Sequence, residues 1–392
     1  MISLEEAFQR VDAACENVTL PTERLRLKQA HGRTLATDVT SKIDLPPFDR
    51  SAVDGYALAA GEEQAEYKVL ETVTAGRPGR AELTPGTAVK VMTGAPVPPG
   101  TARVAMVEHA HERDGRVFID KYPAESNVRR RGEDLRAGQA ILQKGQALGA
   151  LEIASLTACA VSEVEACVPP GVFVMSTGDE IVDRPEDLSP GKIMNSNGPL
   201  LRGLAEEHQL VVKGQVSVGD DPVKIEETLR EGLRSADIVL LSGGVSVGDC
   251  DYVPGAMKRV GLTIHFNRIA VKPGKPTTFA SREGKIVFGL PGNPVAVYVM
   301  FNLLVLRAVA RLSHQALPGQ VNATMARTYE RGSTVRLAFL PARITTEGSV
   351  ETVDYHGSGH LTSLVRADGF IVVPQGIARI EEGEEVRFLW KG

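Results

Sequence analysis

The chain has 392 residues, enough for two to four domains, each with its own buried core. Apolar residues make up 43% and charged residues 24%, the balance of an ordinary globular protein, and the surplus of turn formers (39 glycines, 23 prolines) points to many fixed turns. Forty-four Lys and Arg against 49 Asp and Glu leave a net charge of −5, which excludes a global basic field for nucleic acid or anionic lipid, so any anion must be held locally.

Cys15, Cys159, Cys167 and Cys250 form no C-x-x-C pair and no zinc-finger spacing. They are expected to be reduced thiols of a cytoplasmic protein. The opening M-I-S-L-E-E-A carries two acids where an export leader needs cationic and then apolar residues. The longest apolar run, Val295 to Leu306, is interrupted by Asn302 and falls short of the roughly 18 residues of a membrane span. No membrane segment and no nucleic-acid partner are expected.

In chain order, Ser3 and Glu6 form a capping box that opens an amphipathic helix to about residue 17. From Pro46 to about Gly132, β-branched runs such as Tyr67 to Thr74 and Thr87 to Met92 are punctuated by P-G-T and R-D-G-R turns, predicting a β-rich lobe. A helix over Leu148 to Cys159 and a strand over Val164 to Val168 precede a P-P-G break at 169–171. The texture then alternates between apolar runs and helical segments, as a parallel sheet with crossover helices does. Strands are expected over Gly171–Met175, Leu210–Val218, Asp237–Leu241, Thr263–Val271 and Lys285–Gly289. Helices are expected over Pro199–His208, Pro222–Ser235, Val253–Val260 and Pro294 to about Leu312. Past about Val321 the β-branched runs return. The predicted organisation is a small mixed α/β domain (1–45 plus 133–170), a β-rich lobe (46–132), a doubly wound parallel α/β domain (171–316) and an all-β, barrel-like C-terminal domain (317–392).

Five polar, glycine-rich loops follow the five expected strands: S-T-G-D-E (176–180), G-D-D-P (219–222), S-G-G-V-S-V-G-D-C-D (242–251), K-P-G-K-P (272–276) and L-P-G-N-P (290–294). In an open parallel sheet the strand carboxyl ends form the ligand-binding edge, so these loops are expected to share one crevice. Gly243, Gly244 and Gly248 would let backbone N–H groups approach a phosphate. Asp249 stands where a Walker A loop needs its lysine, so that reading fails, and G-x-G-x-x-G is absent. Glu180, Asp220, Asp249 and Asp251 are oxygen donors suited to Mg²⁺ bound to substrate phosphates. Lys272 and Lys275 add positive charge for an oxyanion. Asp221 before Pro222 is better explained as a helix N-cap, and Asn293-Pro294 has the same capping logic.

Outside this domain, D-L-P-P-F-D-R-S-A-V-D-G-Y-A (44–57), V-M-T-G-A-P-V-P (91–98) and R-R-R-G-E-D-L (129–135) are rigid polar loops. The three arginines suit either a solvated face or bidentate capture of an anion.

Taken in order, P-P-F-D-R-S-A-V-D-G-Y-A, V-M-T-G-A-P-V-P, R-R-R-G-E-D-L, S-T-G-D-E, S-G-G-V-S-V-G-D, D-Y-V, K-P-G-K-P and L-P-G-N-P resemble the MoeA family of molybdopterin molybdenumtransferases, which includes the E domain of gephyrin. The resemblance spans nearly the whole chain. It implies an elongated homodimer of four-domain subunits with active sites between subunits, and a third domain similar to molybdopterin adenylyltransferase that binds molybdopterin. The implied reaction inserts molybdate into adenylylated molybdopterin, with Mg²⁺, and releases AMP to give molybdenum cofactor. The adenylyltransferase would be a transient partner, and molybdoenzymes or carriers would receive the product.

The family's functional positions fall on Asp54, Thr93, Asp134, Glu180, Asp220 and Asp251 as catalytic residues. Ser176, Thr177, Gly178, Gly243, Gly244, Ser246, Gly248, Lys272, Lys275, Pro291 and Pro294 fall in substrate binding, joined by Arg336 and Ser363 as residues that help hold molybdate. Glu180, Asp220 and Asp251 are the implied metal ligands. A pure scaffold would not need these acids, and an adenylyltransferase would consume ATP and would not need the β-rich lobe or the C-terminal domain.

Overall fold

A computed structural model describes residues 1–16, 18–61, 63–244, 252–316, 319 and 321–391. Two compact units emerge, one of residues 1–23, 32–36 and 167–392 and one of residues 24–31 and 37–166.

In the larger unit the elements that position the site are α1 (Leu4–Cys15), β1 (Gly171–Thr177), α2 (Asn197–Glu207), β2 (Val211–Val218), α3 (Pro222–Ser235), β3 (Ile238–Ser242), α4 (Tyr252–Arg259), β4 (Thr263–Phe266), β5 (Val271–Lys272), β6 (Thr278–Arg282), β7 (Lys285–Leu290) and α5 (Pro294–Met300). The sheet runs in the order β2-β1-β3-β7-β6-β4. The first four strands are parallel. β6 is antiparallel to β7 and to β4, an edge the sequence reading did not foresee. Every residue of β1 and β3 is buried, as strands covered on both faces must be.

Alternation along β1 assigns its side chains to two cores. Val172 and Val174 join Leu201 and Leu204 of α2 and Val295 and Val297 of α5 on one face. Phe173 and Met175 join Ile225 and Leu229 of α3 and Val253 and Met257 of α4 on the other. Helices on both faces make the domain doubly wound. α3 begins as expected, with Asp221 accepting the N–H groups of Val223 and Lys224.

α5 continues through a π turn at Phe301–Val305 into Leu306–Leu312. This 19-residue helix is long and apolar enough to cross a membrane, but 78% of its apolar window is buried inside the protein, as in a core helix. α1 lays its stripe of Leu4, Ala7, Val11 and Cys15 into the same core. Asp12 is bound there by Arg307 and Arg311, each at 2.7 Å, and the Arg307 guanidinium lies 4.3 Å from the centre of the Phe8 ring. The sequence reading groups residues 1–45 with 133–170, whereas α1 packs with residues 167–392.

The expected strand Thr263–Val271 is two strands in two sheets. After β4 the chain leaves the α/β sheet, and β5 pairs in parallel with Leu337 and Ala338 of β8 (Leu337–Ile344). The C-terminal sheet therefore runs from β5 through β8, Gly369–Val373 and Glu385–Trp390 to Val321–Thr324, with Val350–Thr352 on the side of β8. The K-P-G-K-P loop thus leaves the C-terminal sheet, and is not a carboxyl end of the parallel sheet.

The smaller unit holds a six-stranded sheet ordered 101–106, 55–59, 87–91, 67–73, 116–119, 110–113. Its parallel pair, 67–73 with 87–91, sits among antiparallel neighbours.

Candidate functional site

The carboxyl ends of β1, β2, β3 and β7 are joined by side chains and close backbone contacts. Ser176 donates to Asn195 Oδ1 (3.1 Å), and Ser242 donates to Ser176 Oγ (3.3 Å). Asn195 also accepts the Gly198 N–H (2.9 Å) and donates to Asp183 (3.0 Å) and Ser217 (2.9 Å). The S-T-G-D-E and G-D-D-P loops clasp each other. The Asp179 N–H points at Asp220 Oδ2 (3.4 Å), and the Asp220 N–H donates to Asp179 Oδ1 (3.0 Å).

Gly243 adopts φ +90°, and a Cβ there would lie 2.2 Å from the Thr177 carbonyl oxygen, so only glycine fits this turn. Its N–H donates to the Leu290 carbonyl (3.3 Å), and Asn197 Nδ2 donates to the Gly292 carbonyl (2.7 Å). The turns after β3 and β7 are thus joined to the start of α2.

The L-P-G-N turn is also one wall of a cavity of about 840 Å³ between the α/β sheet and the C-terminal sheet. Lys272, Lys275 and Arg336 line it, with Asn293, Tyr355 and His356, and among the described residues its lining holds no Asp or Glu. Arg336 Nη1 donates to the Val271 carbonyl (3.2 Å), which leaves its remaining N–H groups for the cavity. Arg331 also lines the space but is consumed by the carbonyls of Ile377, Arg336 and Pro374. Burial pushes the Tyr355 hydroxyl up to about 12, so it stays a neutral donor. Asn293, the expected N-cap of α5, makes no capping bond and donates instead to Ser358 Oγ (2.7 Å). The positive charges of Lys272, Lys275, Arg331 and Arg336, with no carboxylate among the described lining residues, suit the cavity to an anion.

Residues 2–160 match the MoeA N-terminal region (domain I and II), residues 173–311 a probable molybdopterin binding domain, and residues 324–390 the MoeA C-terminal region (domain IV). A molybdopterin molybdenumtransferase of Staphylococcus epidermidis is 32% identical over 98% of this chain and 94% of its own length. One from Staphylococcus aureus is 33% identical over the same shares. The molybdopterin biosynthesis MoeA protein of Pyrococcus horikoshii OT3 superposes over the whole of both chains with a TM-score of 0.86 at 29% identity. The chain belongs to the MoeA family.

In this MoeA chain Lys272, Lys275, Pro291 and Arg336 come together around the cavity. Ser176, Thr177, Gly178, Gly243, Gly244, Glu180 and Asp220 lie at the ends of β1, β2 and β3, and Pro294 is the first residue of α5. Ser246, Gly248 and Asp251 lie outside the described residues, as do Asp249 and Cys250. Ser363 does not join the cavity. It is 1% exposed, and its hydroxyl donates to the His360 carbonyl (2.6 Å), closing the short helix that starts at Thr362.

Asp54, Thr93 and Asp134 belong to the smaller unit. Asp54 Oδ1 accepts both the N–H (2.6 Å) and the hydroxyl (2.7 Å) of Thr93, and these bonds hold its carboxyl below the ordinary aspartate value. Asp134 pairs with Arg129 (2.5 Å), while Arg130 pairs with Asp49 (2.7 Å) and Arg131 with Asp44 (2.6 Å). Arg130 and Arg131 are therefore braces for the D-L-P-P-F-D-R loop, while Arg129 is tied within its own loop.

Among the described residues no three carboxylate, imidazole or thiol groups gather to hold a metal ion. Asp220 and the exposed Glu180 remain as donors, a set that suits Mg²⁺, which commonly takes one or two carboxylates and completes its shell with water and substrate phosphates. Asn195, Asn197, Asp183, Tyr355, His356 and Ser358 are site residues that sequence reasoning missed. The I-M-N-S-N-G stretch (193–198) carried a usable signal, two asparagines spaced to cap a helix directly behind a glycine-rich edge.

Proposed function

We propose that this protein is a molybdopterin molybdenumtransferase that inserts molybdate into adenylylated molybdopterin and releases AMP. The observation that carries the reading is the cavity lined by Lys272, Lys275 and Arg336, with no carboxylate among its described lining residues, next to the glycine turns at the ends of β1 and β3. Molybdate, a compact dianion, gains from three converging cations, and a neutral Tyr355 adds a donor without adding charge. The Gly243–Gly244 turn lets backbone come close to the pyrophosphate of the adenylylated pterin. The wall formed by Pro291, Gly292 and Asn293 separates the two seats by one turn of chain, so the dithiolene and the oxyanion are held as neighbours and their encounter becomes intramolecular.

Asp220 and Glu180 would hold Mg²⁺, which when bound supplies positive charge to the phosphoanhydride as AMP departs. The acids Asp54, Asp134 and Asp251 are assigned with them to the catalytic set on the strength of the family resemblance. The same resemblance supports a homodimer, transient docking with the molybdopterin adenylyltransferase and delivery of cofactor to molybdoenzymes or carriers, while the cysteine pattern supports a cytoplasmic setting.

The test is to incubate the purified chain with adenylylated molybdopterin, molybdate and Mg²⁺ while following AMP and the reactivation of a cofactor-free molybdoenzyme. The expected result is AMP release that depends on molybdate and is matched by reactivation. AMP formation without reactivation, or consumption of ATP with unmodified molybdopterin, would overturn the reading.

A further inference from the structure

The amino edge of the α/β sheet, away from the glycine loops, carries a second cavity of about 400 Å³. It lies where the strands begin, one length of β7 or about 17 Å from their carboxyl ends. Three elements build it. α3 brings Arg230, Leu233 and Arg234, which share a helix face by their spacing. Val260 follows the last turn of α4, and the hairpin between β6 and β7 brings Arg282, Glu283 and Lys285. Leu233, half-buried, and Val260, buried, make an apolar floor under a basic rim. Arg230 pairs with Glu226 (2.8 Å), Arg282 donates to the Val260 carbonyl (2.8 Å) and pairs with Glu283 (3.2 Å), and Lys285 pairs with Asp237 (3.2 Å). These side chains carry more N–H groups than those bonds use. Arg234 is exposed, and its side chain has no partner among the described residues. With Arg259, which also holds Glu226 (2.7 Å), the cations Arg230, Arg234, Arg282 and Lys285 outnumber Glu226, Asp237 and Glu283, a local positive surplus in a chain whose net charge is −5.

We propose that this groove is a docking site for an acidic segment of a partner protein, one that carries an apolar side chain between carboxylates. The apolar side chain covers Leu233 and Val260, and the flanking carboxylates take the open N–H groups of the rim, with Arg234 as the uncommitted anchor. The shape favours a peptide over a small ligand. Side chains of the wall are themselves well exposed, Arg230 at 50%, Arg282 at 46% and Lys285 at 35%, so a small molecule would not be enclosed, whereas an extended chain laid across the rim meets floor and cations together. Charge and composition disfavour nucleic acid. Among the described residues no aromatic side chain lines the groove to stack a base, and Glu283 at the rim repels a phosphate backbone. Docking here is independent of the insertion chemistry, since no lining residue belongs to the catalytic or substrate-binding sets above.

The test follows the fluorescence anisotropy of a labelled peptide, a leucine with a pair of glutamates on each side, titrated with the full wild-type chain and with Arg234→Glu. One control peptide has glutamine for every glutamate, a second has serine for the leucine, and a single-stranded oligonucleotide of matched length is the third control. The wild type is expected to bind the acidic leucine peptide about tenfold more tightly than each control, and to lose affinity as salt is raised. Arg234→Glu is expected to weaken that peptide about tenfold, the scale of one charge-assisted bond, with the melting midpoint unchanged because the side chain is exposed and unpaired. Equal binding of the peptides, tighter binding of the oligonucleotide, or an Arg234→Glu variant that binds as the wild type does each overturns the proposal. If the variant does not fold, the wild-type comparison of the peptides decides, since absence of a preference for the acidic leucine peptide overturns it without any substitution.

Discussion

Asn293 and Ser358 are 65 positions apart in sequence, yet Asn293 Nδ2 lies 2.7 Å from Ser358 Oγ. The Ser358 carbonyl also accepts the Val295 N–H at 3.2 Å. One residue thus fastens the C-terminal loop to the turn that opens α5, across the mouth of the cationic cavity. Asn293→Ala removes the side-chain bond and leaves the backbone bond in place. A neutral hydrogen bond is worth about 1 kcal/mol, so the KM for molybdate is expected to rise about fivefold with kcat nearly unchanged. Steady-state kinetics with molybdate as the varied substrate checks this, and an unchanged KM would show that the loop is held without the pair.

Lys272 and Lys275 are exposed and have no carboxylate partner among the described residues, so the fold does not depend on their charges. Lys272→Ala and Lys275→Ala are each expected to weaken molybdate binding about tenfold, the scale of one charge-assisted bond, while the melting midpoint stays within a degree or so. Calorimetric titration at two ionic strengths measures both the loss and its origin. Raising the salt should weaken the wild type more than either variant, because the variants have less charge to screen.

The parts legible in the sequence were those with local causes. Apolar runs alternating with helical segments marked β1, β2, β3, β7 and α3 within a residue or two, and Asp221 capped α3 as its neighbour Pro222 foretold. The glycine loops marked the carboxyl ends of β1, β2, β3 and β7, whereas the lysine loop fell in the other sheet. What escaped was set by distant partners. Nothing near residue 271 announces that Val271 will pair with Leu337 in another sheet, nor that Thr278–Arg282 will run against β7. The arginine run 129–131 showed the same limit from the other side, since three guanidiniums are suited to an anion until Asp44, Asp49 and Asp134 are found beside them. Asn197 was unreadable as the partner of Gly292 because that contact is a property of the packed interior alone.

Gly243 offers a test of the backbone itself. Its φ of +90° and the 2.2 Å approach of a hypothetical Cβ to the Thr177 oxygen leave no room for a side chain. Gly243→Ala is expected to destabilise the unit by about 1–3 kcal/mol, the cost of a residue forced into this region. It should also lower AMP release by a larger factor than the unfolded fraction explains, because the turn that approaches the pyrophosphate is displaced. Thermal unfolding and single-turnover AMP release on the same preparation separate the two effects.

The Asp12 cluster predicts an acid limb of stability. Burial alone would raise the Asp12 carboxyl, but hydrogen bonds and charge from Arg307 and Arg311 bring it below the ordinary aspartate value. A carboxyl whose folded value lies below its unfolded one stabilises the fold above the unfolded value and loses that contribution as pH falls through the folded one. Asp12→Asn is therefore expected to cost about 2 kcal/mol at neutral pH and little at the acid end, where the wild type has already lost the pairing. Denaturant unfolding of both proteins between neutral pH and the aspartate range is the check, and parallel curves would remove Asp12 from the acid limb.

Cys15 reports on the same cluster from inside the core. Burial first, and the Asp12 charge second, push its thiol up to about 12, so at pH 8 almost no thiolate exists to react. Cys15 is expected to resist iodoacetamide in the folded chain and to alkylate rapidly in denaturant, with peptide mapping to assign the site. Asp12→Asn relieves the charge but not the burial, which is the larger cause, so the variant should stay nearly as resistant while it remains folded. Fast alkylation of Cys15 in the folded wild type would mean that α1 separates from the Leu306–Leu312 helix far more often than its packing and its two arginine pairs allow.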